Sequence, residues 1–128
     1  MPHWSDQYLG KPYVPGSYDC AHLAIEVAQR EFRFHTRLPT QNYQAARREL
    51  GAATELLAEY GVRTEAPIDG DAVIIRNPAG RWHIGIFFRW EHQHWVLHNL
   101  MRLGVCRHRI RQLPNLNMAV EGYYQWAH

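Results

Sequence analysis

The sequence predicts an α+β domain in which N-terminal helices pack on an antiparallel β-sheet. Three observations lead there. Residues 1–63 place apolar side chains at helical spacing, residues 70–126 carry strand-type runs, and no repeat, low-complexity tract or linker divides the two. The 128 residues are therefore read as one domain, 1–128, long enough to bury a core without staples.

Asp19 is a good N-cap, and Cys20, Leu23, Ala24, Val27 and Ala28 follow at helical spacing. The spacing predicts an amphipathic helix from Cys20 to about Phe32. Pro39-Thr40 opens a second helical stretch, Gln41 to Leu50, and a third runs from Thr54 to Tyr60, with Gly61 as its C′ glycine. Ile68-Asp69-Gly70-Asp71 is a turn signal ahead of the apolar run Ala72-Val73-Ile74-Ile75. A longer strand spans Trp82 to Trp90, Glu91-His92-Gln93 reads as a hairpin loop, and the return strand covers His94 to Asn99. Val105 to Ile110 and Met118 to Tyr124 are two further strands.

Composition excludes several classes. With 46% hydrophobic and 20% charged residues the chain is not disordered. A net charge of +2 does not announce nucleic acid or an anionic membrane, and no apolar run is long enough to span a bilayer. Two cysteines cannot make a disulfide framework. The opening Met1-Pro2-His3-Trp4-Ser5-Asp6 has neither a basic nor an apolar leader, so no signal peptide is expected. What stands out is nine histidines beside two cysteines.

Cys20 is the most informative of these. A thiol in the first turn of a helix sits among unpaired N–H groups at the positive end of the dipole, which favours the thiolate. An isolated cysteine is more often a small packing residue. A thiolate nucleophile needs a base, and two histidines lie on neighbouring strands. If Arg89 sits opposite His94, His98 lies opposite Gly85 and His83 opposite Leu100. Both histidines then share one sheet face as diagonal neighbours, roughly 7–8 Å apart. A Cys–His pair with a third polar group orienting the imidazole is the pattern of a thiol hydrolase.

The run Tyr8-Leu9-Gly10-Lys11-Pro12-Tyr13, followed by Tyr18-Asp19-Cys20, resembles the N-terminal signature of the NlpC/P60 cysteine peptidases. Gly70-Asp71-Ala72-Val73-Ile74-Ile75 is similar to that family's Gly-Asp-apolar strand. His83-Ile84-Gly85-Ile86 resembles its His-apolar-Gly-apolar motif, and Leu97-His98 the strand bearing the third catalytic group. The closing Val120-Glu121-Gly122-Tyr123-Tyr124 is similar to the ends of tail-associated members encoded by phages and prophages. The resemblance implies a papain-like fold and hydrolysis of amide bonds in peptidoglycan stem peptides, typically after γ-D-glutamate, through a Cys20 thioester. It implies His83 as base, His98 as its orienter, and Tyr13 and Asp19 at the substrate. His22, two positions on and so off the face of Cys20, either lines the rim of the cleft at the substrate or is a solvated residue. It stands with Ala21 where the family has serine and glycine, and the glycine pair before the cysteine is reduced to Pro15-Gly16-Ser17.

Other readings stay beside this one. His94 and His98 share a strand face but lie four residues, about 13 Å, apart, too far to bind one ion together with His92. No metal ligands and no cofactor are therefore expected. Arg107, Arg109 and Arg111 form a basic stripe without a flanking aromatic platform, read as a charged edge strand. Cys106 is read as a packing residue. The non-enzymatic alternative is a phage-tail subunit that retains the fold without needing the activity. Expected partners are a peptidoglycan peptide and proteins of a phage tail or secretion machine, with no nucleic acid and no membrane. The expected route is synthesis in the cytoplasm and delivery to the wall in a tail or by signal-less secretion.

Overall fold

The computed structural model describes residues 2–34, 61–77 and 82–126. The helices expected at Gln41–Leu50 and Thr54–Tyr60 lie outside these residues. A 3-10 segment, Trp4–Tyr8, leads into α1 (Cys20–Phe32). The strands are β1 (Gly61–Thr64), β2 (Ala72–Arg76), β3 (Trp82–Trp90), β4 (Gln93–Leu100), β5 (Gly104–Arg109) and β6 (Ala119–Trp126). A second 3-10 segment, Ile110–Leu116, joins β5 to β6. All pairings are antiparallel, and the sheet order is β1-β6-β2-β3-β4-β5. The fold is α+β, with helical segments packed on a six-stranded antiparallel sheet.

α1 begins where the N-cap pattern predicts. The Asp19 carboxylate accepts from the N–H groups of Ala21 (3.0 Å) and His22 (3.2 Å), satisfying two donors the helix leaves unpaired. The apolar stripe of α1 packs with Ile74, Ile84, Ile86, Phe88 and Leu97 into the larger core on one sheet face. Val73, Ile75, Phe87 and Val96 form a smaller core on the other, closed by Leu113 of the second 3-10 segment. β3 is apolar at nearly every position because it is buried on both faces.

The hairpin has the expected register, with Arg89 opposite His94 and Gly85 opposite His98. Its turn is shorter than expected. Glu91 and His92 alone make it, both at positive φ (52° and 61°), and Gln93 already pairs with Trp90. Gly61 opens β1, so the sheet has one more strand than the sequence suggested. The N-terminal run Gly10-Lys11 docks on the edge of β5. Gly10 N–H donates to Val105 O and Val105 N–H to Lys11 O, each at 2.9 Å. Gly104 permits this approach, since a Cβ there would lie 2.5 Å from the Lys11 carbonyl oxygen.

Gly85 is equally constrained. An added Cβ would stand 2.5 Å from Val96 Cγ2 and 2.8 Å from the Leu97 carbonyl oxygen, which is backbone and cannot rotate away. Gly85→Ala is expected to lower unfolding free energy by about 1–3 kcal/mol in urea titrations. An unchanged midpoint would mean that β3 and β4 can spread at this position.

Candidate active site

Each sequence-predicted residue has a definite place. Cys20 is the first residue of α1 and is fully buried in the larger core. Just ahead of it, Asn99 Nδ2 donates to the Tyr18 carbonyl at 2.9 Å, tying the start of α1 to β4 beside His98. Tyr18 is held in turn by Glu26, which accepts from its hydroxyl at 2.8 Å and lies 3.4 Å from Lys11 Nζ. Tyr13 is half-buried in the segment running from the β5 edge to α1. His22 lies with its Nδ1 2.8 Å from Asp19 Oδ1 and closes a capping box with the buried aspartate. Gly70 and Asp71 shape the entry to β2. Gly70 N–H donates to Phe87 O at 2.9 Å, and Asp71 Oδ2 accepts from Ile68 N–H at 2.8 Å.

The structure brings His83 and His98 together. His83 Nε2 lies 2.9 Å from His98 Nδ1, and both rings are buried. The contact continues one strand further than expected, because His98 Nε2 lies 2.9 Å from His108 Nδ1 on β5. Cys106 Sγ stands 3.9 Å from that same Nδ1. Cys106 is therefore more than the packing residue the sequence suggested. His108 was missed altogether, although the spacing of Cys106 and His108 places them on one strand face.

Strand parity decides the faces. His83 pairs with Ile75 and His98 with Cys106, and Ile75 belongs to the smaller core. The histidines thus stand on the face opposite α1, whereas Cys20 packs with Ile84 and Ile86 on the α1 face. Among the described residues no Cys–His catalytic arrangement is formed. Cys20 and Cys106 are not joined in a disulfide.

On the α1 face, level with these histidines, lie two buried polar atoms, Trp82 Nε1 and Asn99 Oδ1, with no hydrogen-bond partner among the described residues. A groove of about 330 Å³ lies elsewhere, at the far end of the hairpin, lined by His92, Gln93, His94, Ile110 and Arg111. The arginine stripe does have an aromatic platform, contrary to expectation. Arg107 lies 4.4 Å over the Trp90 ring and also bonds Ser5 and Asp6, while Arg109 lies 5.4 Å over Trp95.

Burial holds His98 well below the ordinary imidazole range, with neighbouring His83 and His108 pushing the same way. Burial also lowers His108, and it raises the Cys106 thiol to about 11. No family model matches the chain, and no curated protein matches it.

The lowered histidines set a pH dependence. Between their folded-state values and the ordinary 6.5, the unfolded chain binds more protons than the folded one. Their neutral forms suit the fold above this window, and stability falls as pH drops through 6.5. In chelator-treated buffer the urea midpoint should fall between about pH 7 and pH 5, and His98→Gln should flatten that decline. Equal slopes for the two proteins would contradict the assignment.

Proposed function

We propose that the chain is a thiol hydrolase of NlpC/P60 type that cleaves an amide bond in peptidoglycan stem peptides. The observation that carries this reading is the buried His83–His98 hydrogen bond, a base held by an orienting group, on the motif strands the resemblance names. Because Nε2 of His83 faces His98, Nδ1 is the ring atom that a thiol would use. Cys20 opens α1, where the helix dipole favours the thiolate and the first backbone N–H groups suit an oxyanion. Trp82 Nε1 and Asn99 Oδ1 offer one donor and one acceptor, as a peptide amide requires.

The reading requires one movement. His83 is the second residue of β3, and the Asn99–Tyr18 bond brings the start of α1 to that same end of the sheet. The ring has to turn past the strand end to bring Nδ1 within about 3–4 Å of the Cys20 sulfur. The attack would then form a thioester as the proton passes from thiol to imidazole to the leaving amine, and water would release the acid. Partners in a phage tail or secretion machine belong to the same proposal.

A second reading is favoured by the position of Cys20 and His83 on opposite sheet faces. It is an assembly subunit that keeps the fold without the activity. Mass spectrometry of muropeptides decides between them. Wild type should release new amide-cleavage products, Cys20→Ala none, and His83→Gln should act on the order of 10²–10⁴-fold more slowly. Intact muropeptides with wild type, together with Cys20 alkylation by iodoacetamide that is indifferent to His83→Gln, would defeat the hydrolase and favour the subunit.

A further inference from the structure

The β4–β5 register places three ligand-type side chains at one spot. His98 and Cys106 are directly paired across the two strands, and His108 follows Cys106 two residues on, so all three project from the same face. His98 Nε2, Cys106 Sγ and His108 Nδ1 all lie within 4.8 Å of one another. The nitrogens are 2.9 Å apart, and the sulfur stands 3.9 Å from His108 Nδ1. A tetrahedral zinc ion with ordinary bond lengths would hold the nitrogens about 3.3 Å apart and each about 3.6 Å from the sulfur. Reaching that geometry parts the nitrogens by about 0.4 Å and closes the sulfur on them by up to about 1.2 Å.

We infer that His98, Cys106 and His108 form a three-ligand site for a borderline-soft divalent cation of the Zn²⁺ class, with solvent or a small ligand at the fourth position. The donor set fits, since two imidazoles and one thiolate favour Zn²⁺ over Mg²⁺ or Ca²⁺. The outer contact is also built. His98 turns its other nitrogen, Nδ1, to His83 Nε2 at 2.9 Å, the kind of second hydrogen bond that fixes the orientation of a metal-bound imidazole. Access is open because Cys106 and His108 are only partly buried. Binding replaces the hydrogen bond between His98 and His108 and removes the Cys106 proton, which passes to the buffer. This set differs from His92, His94 and His98, whose spacing excluded a common ion. The inference does not rest on the hydrolase reading.

Cobalt titration of chelator-treated protein tests it. One Co²⁺ per chain is expected, with tetrahedral visible bands and a near-ultraviolet thiolate-to-metal band, all reversed by stoichiometric Zn²⁺. Cys106→Ser should abolish the near-ultraviolet band and weaken binding at least about tenfold, and His108→Ala should weaken it comparably. Cys20→Ser and His92→Ala should leave spectrum and affinity unchanged. A band that survives Cys106→Ser or vanishes in Cys20→Ser would overturn the site. So would affinity indifferent to His108→Ala, or the absence of one-to-one binding. Should Cys106→Ser fail to fold, His108→Ala alone decides, because its position is partly exposed.

Discussion

The pairing of Gly85 with His98 governs what every neighbouring side chain can do. With that register set, Ile84 and Ile86 must face α1, while His83, Phe87 and Val96 must face the smaller core. A slip of one residue would drive two imidazoles into the packed helix interface and turn two isoleucines the other way. Gly85 guards against it, because only a missing side chain fits between Val96, the Leu97 carbonyl and His98. The histidine contacts, the free face of Asn99 and the seat of α1 all inherit this one choice.

Burying imidazoles is costly unless they stay neutral and bonded. Each ring nitrogen of His98 faces another ring across three strands, and burial holds His98 and His108 below the ordinary imidazole range. The neighbours that satisfy its hydrogen bonds are the same ones that discourage its protonation. Polar contacts on the α1 side follow a different logic. Asp19, Glu26 and the Asn99 amide nitrogen hold the approach to Cys20 in place.

Much of this was legible in the sequence because it is local. Asp19 before an apolar helical stripe marks the start of α1, and the period-2 runs mark the strands and the hairpin register. Other features depend on distant contacts. β3 is buried on both faces, so its unbroken apolar run says nothing about which side the helix takes. That is why two histidines on one face could be foreseen while their face relative to Cys20 could not. The role of His108 depends on the β4–β5 register, set by the three-residue connection Met101-Arg102-Leu103. β1 is four residues long, with only its first residue buried, and leaves almost no periodic trace. His22 completes the Asp19 cap from a position where glutamate or glutamine usually serves, so the ordinary capping pattern passed it over.

When the three imidazoles are neutral, the two nitrogen–nitrogen contacts that join them have a further property. The middle ring, His98, carries a single proton yet engages both nitrogens, so it must donate on one side and accept on the other. The two N–H bonds therefore point the same way along the row. Only two neutral arrangements exist, and passing between them hands one proton across each contact while one is taken up at the outer nitrogen of one end ring and one is released from that of the other. Whatever fixes the proton on the partly exposed His108 thereby selects which nitrogen of the buried His83 is basic. The sheet carries a two-position polarity from its surface to its interior without moving a single backbone atom.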